Sequence, residues 1–185
     1  MTTFTTVLNE HRETLDRLQQ CTQEIEAAAD SLLQTFSRGG KVLLCGNGGS
    51  AADCQHIAAE FVVRYTKVRR PLPAIALTTD TSILTAHPND FEFDTVFARQ
   101  VEALGKPEDT LIALSTSGNS PNIIAAVKQA KAIQMNTVVL SGHQGGQLAG
   151  VADHTIIVPS TVTARIQEMH ILIAHWWCEK AEASL

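Results

Sequence analysis

Two short loops rich in glycine and hydroxyl side chains carry the strongest chemical signal in this sequence. They are Cys45-Gly-Asn-Gly-Gly-Ser50 and Ser115-Thr-Ser-Gly-Asn-Ser120, and each follows an apolar run and opens a predicted helix. The first N–H groups of a helix have no acceptor within it and carry the positive end of its dipole, so they bind phosphate well. Glycine lets the backbone approach an anion, and serine and threonine add donors. The two loops therefore predict a site for a phosphorylated ligand.

The loops do not match a nucleotide fingerprint. The first lacks the Gly-Lys-Ser/Thr ending of a P-loop and the full spacing of a dinucleotide-binding turn, which makes ATP and NAD poor candidates. The simpler alternative is that each loop only caps a helix, and this would account for Ser50 and Ser120. It does not account for Ser115, Thr116 and Ser117 in succession.

A histidine and a glutamate follow the first loop on the same predicted helix. His56 and Glu60 are four residues apart, which places an imidazole and a carboxylate on one helix face. Such a pair can bind a metal ion or transfer protons. A surface ion pair or a core histidine is the alternative, but the position two turns from a predicted phosphate loop favours a functional role.

The last predicted helix carries further polar candidates. Gln167 and His175 are eight residues apart, an offset of about 80° around a helix, so both side chains can reach one side of a cavity while His170 points elsewhere. The alternative is that Trp176 and Trp177 form an interface and that the histidines are polar residues at its edge.

The elements that must position these side chains alternate between strands and helices after Gly39-Gly40. Predicted strands cover residues 41–45, 74–77, 110–114, 136–140 and 154–158; predicted helices cover residues 50–64, 120–133 and 162 onward, with short helices between 81 and 103 and a short glycine-rich helical stretch after 140. Apolar strands separated by helices predict a parallel sheet covered on both faces. Ligands bind such sheets at the carboxyl ends of the strands, where both loops would lie.

A long helical segment precedes this alternation. Residues 4–36 contain no glycine or proline, and apolar residues recur at mostly three- and four-residue steps, which predicts a helix that is continuous or broken once. Its apolar stripe is longer than a small sheet can cover, so we expect part of it to pack against another subunit; a helical hairpin folded on its own domain is the alternative. We expect residues 1–38 to serve oligomerisation and residues 39–185 to form the α/β domain, in one structural unit.

Composition excludes several classes of protein. The 185 residues are 44% hydrophobic, enough for one domain with a substantial core. A formal charge of -5 argues against a nucleic-acid surface. No run reaches the roughly 18 apolar residues of a membrane span, and no secretion signal precedes the first helix, so we expect a cytoplasmic protein. The four cysteines lack zinc-knuckle spacing and are expected to be reduced thiols.

In combination these motifs resemble the sugar isomerase (SIS) domain family, and most closely its phosphoheptose isomerase branch. The resemblance spans essentially the whole chain and rests on both loops, on His56-x-x-x-Glu60, on Asn89-Asp90-Phe91 and on Ala164-Arg-Ile-Gln-Glu-Met-His170 followed by His175. It implies a three-layer α-β-α SIS fold with a five-stranded parallel sheet and a long N-terminal helical segment.

The resemblance also implies a function. It implies an aldose–ketose isomerase that converts sedoheptulose 7-phosphate to D-glycero-D-manno-heptose 7-phosphate through an enediolate, the first step in making heptose for lipopolysaccharide or capsule. It further implies a homotetramer with active sites at subunit interfaces. Two alternatives remain open. The first is a non-catalytic SIS adaptor that binds a replication initiator; in such adaptors the residues corresponding to Glu60 and His175 are replaced. The second is an isomerase of another sugar phosphate.

Site residues follow from the same resemblance. It implies Glu60 and His175 as the catalytic, proton-transferring pair. It implies a Zn²⁺ site made by His56, Glu60, Gln167 and His175. Its implied substrate-binding residues are Asn47, Gly48, Gly49, Ser50, Glu60, Asn89, Asp90, Ser115, Thr116, Ser117, Ser120 and Gln167.

Overall fold

Five short apolar runs form one parallel sheet with the strand order β2-β1-β3-β4-β5. The computed structural model describes residues 3–184. The strands are β1 (Val42–Gly46), β2 (Ala74–Ala76), β3 (Thr110–Ser115), β4 (Asn136–Ser141) and β5 (His154–Ile157). Every neighbouring pair is parallel, so the chain must cross over between strands, and helices provide the crossovers.

Seven α-helices surround the sheet in the described part of the chain. They are α1 (Phe4–Leu18), α2 (Thr22–Ser37), α3 (Gly49–Val62), α4 (Thr81–Asp90), α5 (Val96–Leu104), α6 (Pro121–Ala132) and α7 (Thr163–Ala183). No helix within residues 3–184 has the length and hydropathy of a membrane-spanning segment.

The two faces of the sheet bury two separate hydrophobic clusters. Successive side chains of a strand point to opposite faces, and β1 follows this rule: Val42 and Leu44 pack with residues of α2, α3 and α7, whereas Leu43 and Cys45 pack with residues of α5 and α6. A strand buried on both faces explains the nearly continuous apolar runs in the sequence. The predicted three-layer α/β fold is confirmed.

The N-terminal segment is broken once, and its two helices differ in burial. A short 3₁₀ turn, Gln19–Cys21, separates α1 from α2, which is the single break that the pattern allowed. α2 packs into the core of its own domain through Ala28, Leu32 and neighbouring residues. α1 instead leaves apolar side chains exposed, with Phe4 75% accessible.

The strand order reverses between β1 and β3, and this reversal places the site. The crossover from β1 leads to β2 on one side, and the crossover from β2 returns past β1 to β3 on the other. A crevice opens at the carboxyl ends of two strands where their connections diverge in this way. Both glycine- and hydroxyl-rich loops follow those strands, so the fold brings them together at one edge.

Candidate active site

The first loop joins β1 to α3 in a tight turn. Gly48 has a φ of +56°, a conformation that favours glycine, and it precedes the first residue of α3. An asparagine pair then ties this loop to the second one: Asn47 and Asn122 each donate their Nδ2 to the other's Oδ1 at 2.9 Å. Asn122 is buried in the first turn of α6, so the two loops are held in a fixed relation.

The second loop is organised by its own hydroxyl groups. Ser115 and Ser120 place their Oγ atoms 3.1 Å apart, and Ser117 Oγ accepts from the Asn119 N–H. Ser120 occupies the N-cap position of α6 without a capping hydrogen bond from its side chain, and the first residue of the helix is proline. Within residues 3–184, the N–H groups of Thr116, Ser117 and Ser120 have no protein acceptor. These unpaired donors and the hydroxyl groups together suit a phosphate.

A third loop clamps the second from outside. Gly118 has a φ of +67°, and a methyl group at this position would overlap the carbonyl oxygen of Gly145. The Leu148 N–H donates to the Gly118 carbonyl at 3.1 Å, and the Gln147 N–H donates to Asn119 Oδ1 at 3.0 Å. The loop after β4 therefore fixes the shape of the loop after β3.

Three of the four predicted metal ligands lie together. His56 Nε2 is 3.1 Å from Glu60 Oε1, and ligand atoms of His56, Glu60 and His175 all lie within 4.8 Å of one another. The ring of His175 meets His56 edge-on, with centroids 5.1 Å apart. We call these three residues the His-Glu-His group. Two nitrogen donors and one carboxylate form a donor set that suits Zn²⁺.

Gln167 lies on the same side of α7 but against the first loop. A methyl group on Gly49 would come within 2.7 Å of Gln167 Nε2, so the amide of Gln167 covers the start of α3. His170 points away into the core, where its Nε2 is 3.0 Å from the Ser141 carbonyl oxygen. Burial lowers the pKa of His170 to about 4, although the hydrogen bond to Ser141 opposes this shift.

Asn89 and Asp90 are the last two residues of α4. Both are exposed, and Asn89 Nδ2 donates to Asp90 Oδ1 at 2.8 Å. No hydrogen bond joins them to either loop in the part of the chain that the structure describes. The single chain therefore links the two loops through hydrogen bonds and forms the His-Glu-His group, but it does not bond Asn89 or Asp90 to either loop.

The His-Glu-His group is open to solvent in the single chain. The side chain of His56 is 48% exposed and that of Glu60 is 22% exposed. A cavity of about 1000 Å³ is lined by Ser117 and Asn119 of the second loop together with residues of α1 and Arg165 of α7, and it includes no member of the group. The His-Glu-His group thus lies at the surface of the single chain.

Several residues that shape the site carried no sequence signal. Asn122 is 75 positions from its partner Asn47, and an asparagine early in a helix is common without such a role. Tyr65 stacks on His175 with ring centroids 5.4 Å apart and an interplanar angle of 27°. Asp53 lies one turn before His56; burial raises the pKa of Asp53, and His56 partly opposes this shift.

Comparison with known proteins identifies the family. The model of the SIS domain family matches residues 7–142. A phosphoheptose isomerase from Roseiflexus sp. is 58% identical over 87% of this chain and 82% of its own length. Phosphoheptose isomerase 1 from Campylobacter jejuni is 50% identical over 95% of this chain and 94% of its own. The solved structure of a phosphoheptose isomerase from Neisseria gonorrhoeae has a TM-score of 0.92 at 43% identity, covering 97% of each chain. By sequence and by structure, the chain belongs to the SIS domain family, in its phosphoheptose isomerase branch.

Proposed function

We propose that this protein is an aldose–ketose isomerase that interconverts sedoheptulose 7-phosphate and D-glycero-D-manno-heptose 7-phosphate through an enediolate. The reaction would be the first step in supplying heptose precursors for a bacterial surface polysaccharide. The observation that carries the proposal is the convergence of Glu60 and His175 in the His-Glu-His group, with α3, the helix of Glu60, beginning at the first of the two loops. Relatives at 50–58% identity that are named phosphoheptose isomerases support the choice of substrate.

The reaction moves one proton between neighbouring carbons, and two side chains suffice to move it. In the proposal, the Glu60 carboxylate removes a proton from C1 of the open-chain ketose and returns it to C2. His175 opens the sugar ring and transfers protons between the O1 and O2 oxygens, as an imidazole can near neutral pH. His56, 3.1 Å from Glu60, orients the carboxylate towards the substrate.

The two loops hold the far end of the substrate. Ser115, Thr116, Ser117 and Ser120 would bind the phosphate, and Asn47, Gly48, Gly49 and Ser50 would line the sugar chain, with Gln167 across the first loop. Binding energy from a phosphate remote from C1 and C2 positions those carbons against the base. A substrate analogue without phosphate should therefore lose turnover as well as affinity.

A divalent cation fits the His-Glu-His group. We propose Zn²⁺ held by His56, Glu60 and His175, with Gln167 on the same side of α7 as the fourth candidate. When bound, such an ion polarises the substrate carbonyl and stabilises negative charge on the enediolate oxygens. Elemental analysis of protein prepared without chelator, followed by activity measurements after removal and readdition of the metal, tests this part. Full activity in the metal-free protein would exclude a catalytic ion.

Assembly would complete the site. We propose a homotetramer in which residues 1–38 contribute to the contacts between subunits and residues 39–185 form the SIS domain. The exposed apolar side chains of α1, Phe4, Leu8 and Leu15, support this, as does the exposure of the His-Glu-His group. Asn89 and Asp90, both exposed in one chain, would contribute to a site at a subunit boundary. Sedimentation of the purified protein measures the assembly directly.

The decisive experiment is an assay of the purified protein with sedoheptulose 7-phosphate. We expect aldose phosphate to form, and we expect Glu60→Gln to lower kcat by about 10²- to 10⁴-fold, the usual contribution of a general base. Glu102→Gln is the matched control, because Glu102 is exposed and pairs only with Arg99 on the surface. Unchanged turnover in Glu60→Gln would remove Glu60 from the mechanism.

Two other functions are distinguishable by the same measurements. A non-catalytic adaptor would bind the sugar phosphate without forming product, but the presence of both Glu60 and His175 favours catalysis. An isomerase of a shorter sugar phosphate would prefer five- or six-carbon substrates in side-by-side kinetics.

A further inference from the structure

A buried carboxylate lies two helical turns beyond His175. Glu182 follows His175 by seven residues on α7, so both side chains lie on nearly the same helix face. The side chain of Glu182 is 1% exposed. Burying a carboxylate so deeply is unfavourable unless donors compensate for the lost water, so its partners indicate what it holds in place.

Those partners are four donors on the segment that follows α3. Glu182 accepts from the N–H groups of Tyr65 at 2.7 Å, Thr66 at 2.9 Å and Lys67 at 2.9 Å, and from the Thr66 hydroxyl at 2.9 Å. Three successive N–H groups converging on one carboxylate fix the path of the backbone in a segment that has no regular secondary structure. Burial acts to raise the pKa of Glu182, but these hydrogen bonds outweigh it and lower the pKa to about 2.

Arg69 extends the same network to the helix that carries Glu60. Its Nε is 3.4 Å from Glu182 Oε1, and its side chain is 6% exposed. Its Nη atoms donate to the backbone carbonyls of Glu60 at 2.7 Å and Phe61 at 2.6 Å. The last carbonyl groups of a helix receive no hydrogen bond from an N–H group of the same helix, so a guanidinium that donates to them stabilises the helix end.

The network reaches the His-Glu-His group at two points, His175 and Glu60. Tyr65, held by its N–H on Glu182, places its ring against the ring of His175 at a centroid distance of 5.4 Å. Arg69 binds the backbone of Glu60 itself. His175 has no hydrogen bond to a protein group within residues 3–184, so the Tyr65 stack and the edge contact with His56 are what orient its ring.

We propose that Glu182 and Arg69 are positioning residues for the isomerase centre: they hold Tyr65 against His175 and fix the end of α3 at Glu60, and so set the geometry of the His-Glu-His group. This inference rests on the proposed function of that group. The competing explanation is that the network only stabilises the end of α3. The two differ because a purely stabilising role leaves the geometry of the folded site unchanged when the carboxylate is weakened.

The test compares Glu182→Gln with Glu179→Gln, a matched change on the same helix at an exposed position. The first readout is the NMR resonance of the His175 Cε1–H, which the ring current of Tyr65 shifts in the native protein. We expect Glu182→Gln to move this resonance and Glu179→Gln to leave it in place. The second readout is the dissociation constant for Zn²⁺ by chelator competition, which we expect to rise about 10- to 100-fold in Glu182→Gln, as for other groups that orient metal ligands.

Steady-state kinetics distinguish the positioning of the His-Glu-His group from the binding of the substrate phosphate. Glu182→Gln should lower kcat while the KM for sedoheptulose 7-phosphate and the inhibition constant of inorganic phosphate stay unchanged, because the second loop, whose hydroxyl groups are proposed to bind the phosphate, leads into α6 and lies outside the network. Tyr65→Leu should reproduce the loss of Zn²⁺ affinity, and adding Glu182→Gln to Tyr65→Leu should lower that affinity no further. If Glu182→Gln does not fold, Thr66→Ala, which removes one of the four donors, should produce a smaller change in the same direction.

The proposal is overturned if folded Glu182→Gln matches Glu179→Gln in the His175 resonance and in Zn²⁺ affinity. A wild-type protein that does not isomerise sedoheptulose 7-phosphate would instead refute the proposed function. The resonance comparison would still decide whether Glu182 positions His175.

Discussion

A single methyl group added at Gly49 should separate the stability of this protein from its activity. Gly49 is the first residue of α3, and its φ lies outside the left-handed region, so alanine fits the backbone there. Glycine-to-alanine changes at compatible positions stabilise by about 0.4–1 kcal/mol, chiefly by restricting the unfolded chain. We therefore expect Gly49→Ala to unfold in urea at the same or a slightly higher midpoint.

The same methyl group collides with Gln167. It would lie 2.7 Å from Nε2 and 3.1 Å from Cδ, and ordinary van der Waals contact begins at 3.4 Å, so the amide must retreat by about 0.7 Å. Displacements of about 1 Å in a reacting site can cost on the order of 10²-fold in rate. We expect kcat for sedoheptulose 7-phosphate to fall about 10- to 100-fold in Gly49→Ala.

A double-mutant cycle assigns the loss to Gln167. If the methyl group acts only by displacing the amide, Gly49→Ala combined with Gln167→Ala should be no slower than Gln167→Ala alone. Turnover in Gly49→Ala equal to that of the wild type, together with a large loss in Gln167→Ala, would refute the reasoning, because the Gln167 amide would then not depend on the space above Gly49.

Three further predictions concern the framework of the site. Asn122→Ala should lower the free energy of unfolding by about 1–3 kcal/mol, since it leaves the amide of Asn47 without its partner; an unchanged urea midpoint would contradict this. Because the pKa of His170 is about 4 in the folded protein and 6.5 is its ordinary value, the unfolded state binds more protons between these values, so stability should fall as the pH drops from 6.5 to 4. Urea titrations of His170→Gln should lack that part of the decline. Gly118→Ala should abolish cooperative unfolding followed by circular dichroism, because its methyl group would overlap Gly145. Gly39 is also left-handed but faces open space, so Gly39→Ala should lower the free energy of unfolding by only about 1–2 kcal/mol. Comparable losses in the two variants would contradict the role of the Gly118–Gly145 contact.

Local patterns in the sequence were sufficient to predict most of the fold. The apolar runs of β1 and β3 are buried on both faces, so their identity is visible without knowledge of the neighbours. The boundaries differ by one or two residues: the first strand is Val42–Gly46 where residues 41–45 were predicted, and the following helix ends at Val62 where residue 64 was predicted. Helix ends depend on capping contacts that the sequence does not display.

The candidate site was predictable where its residues share one helix or follow one strand. His56 and Glu60 meet because they are four apart on α3. The contacts that link elements were not predictable, because each joins residues far apart in the chain. Glu182 binds a segment 115 to 117 positions earlier, and a lone glutamate near the end of an amphipathic helix is typical of a solvated face. Only the folded arrangement of α7 over α3 gives it a buried partner.

The two hydrophobic clusters support different parts of the candidate site from opposite sides of the sheet. The helices that carry the His-Glu-His group, α3 and α7, pack into one cluster. Helix α6, which begins at the second loop, packs into the other. Repacking around α6 should therefore act first on how tightly an esterified substrate is bound, and changes beneath α3 should act first on the geometry of the His-Glu-His group. A protein engineer who wants a different sugar handled by the same chemistry can therefore repack one side of the sheet at a time, provided that the Asn47–Asn122 pair joining the two loops is kept.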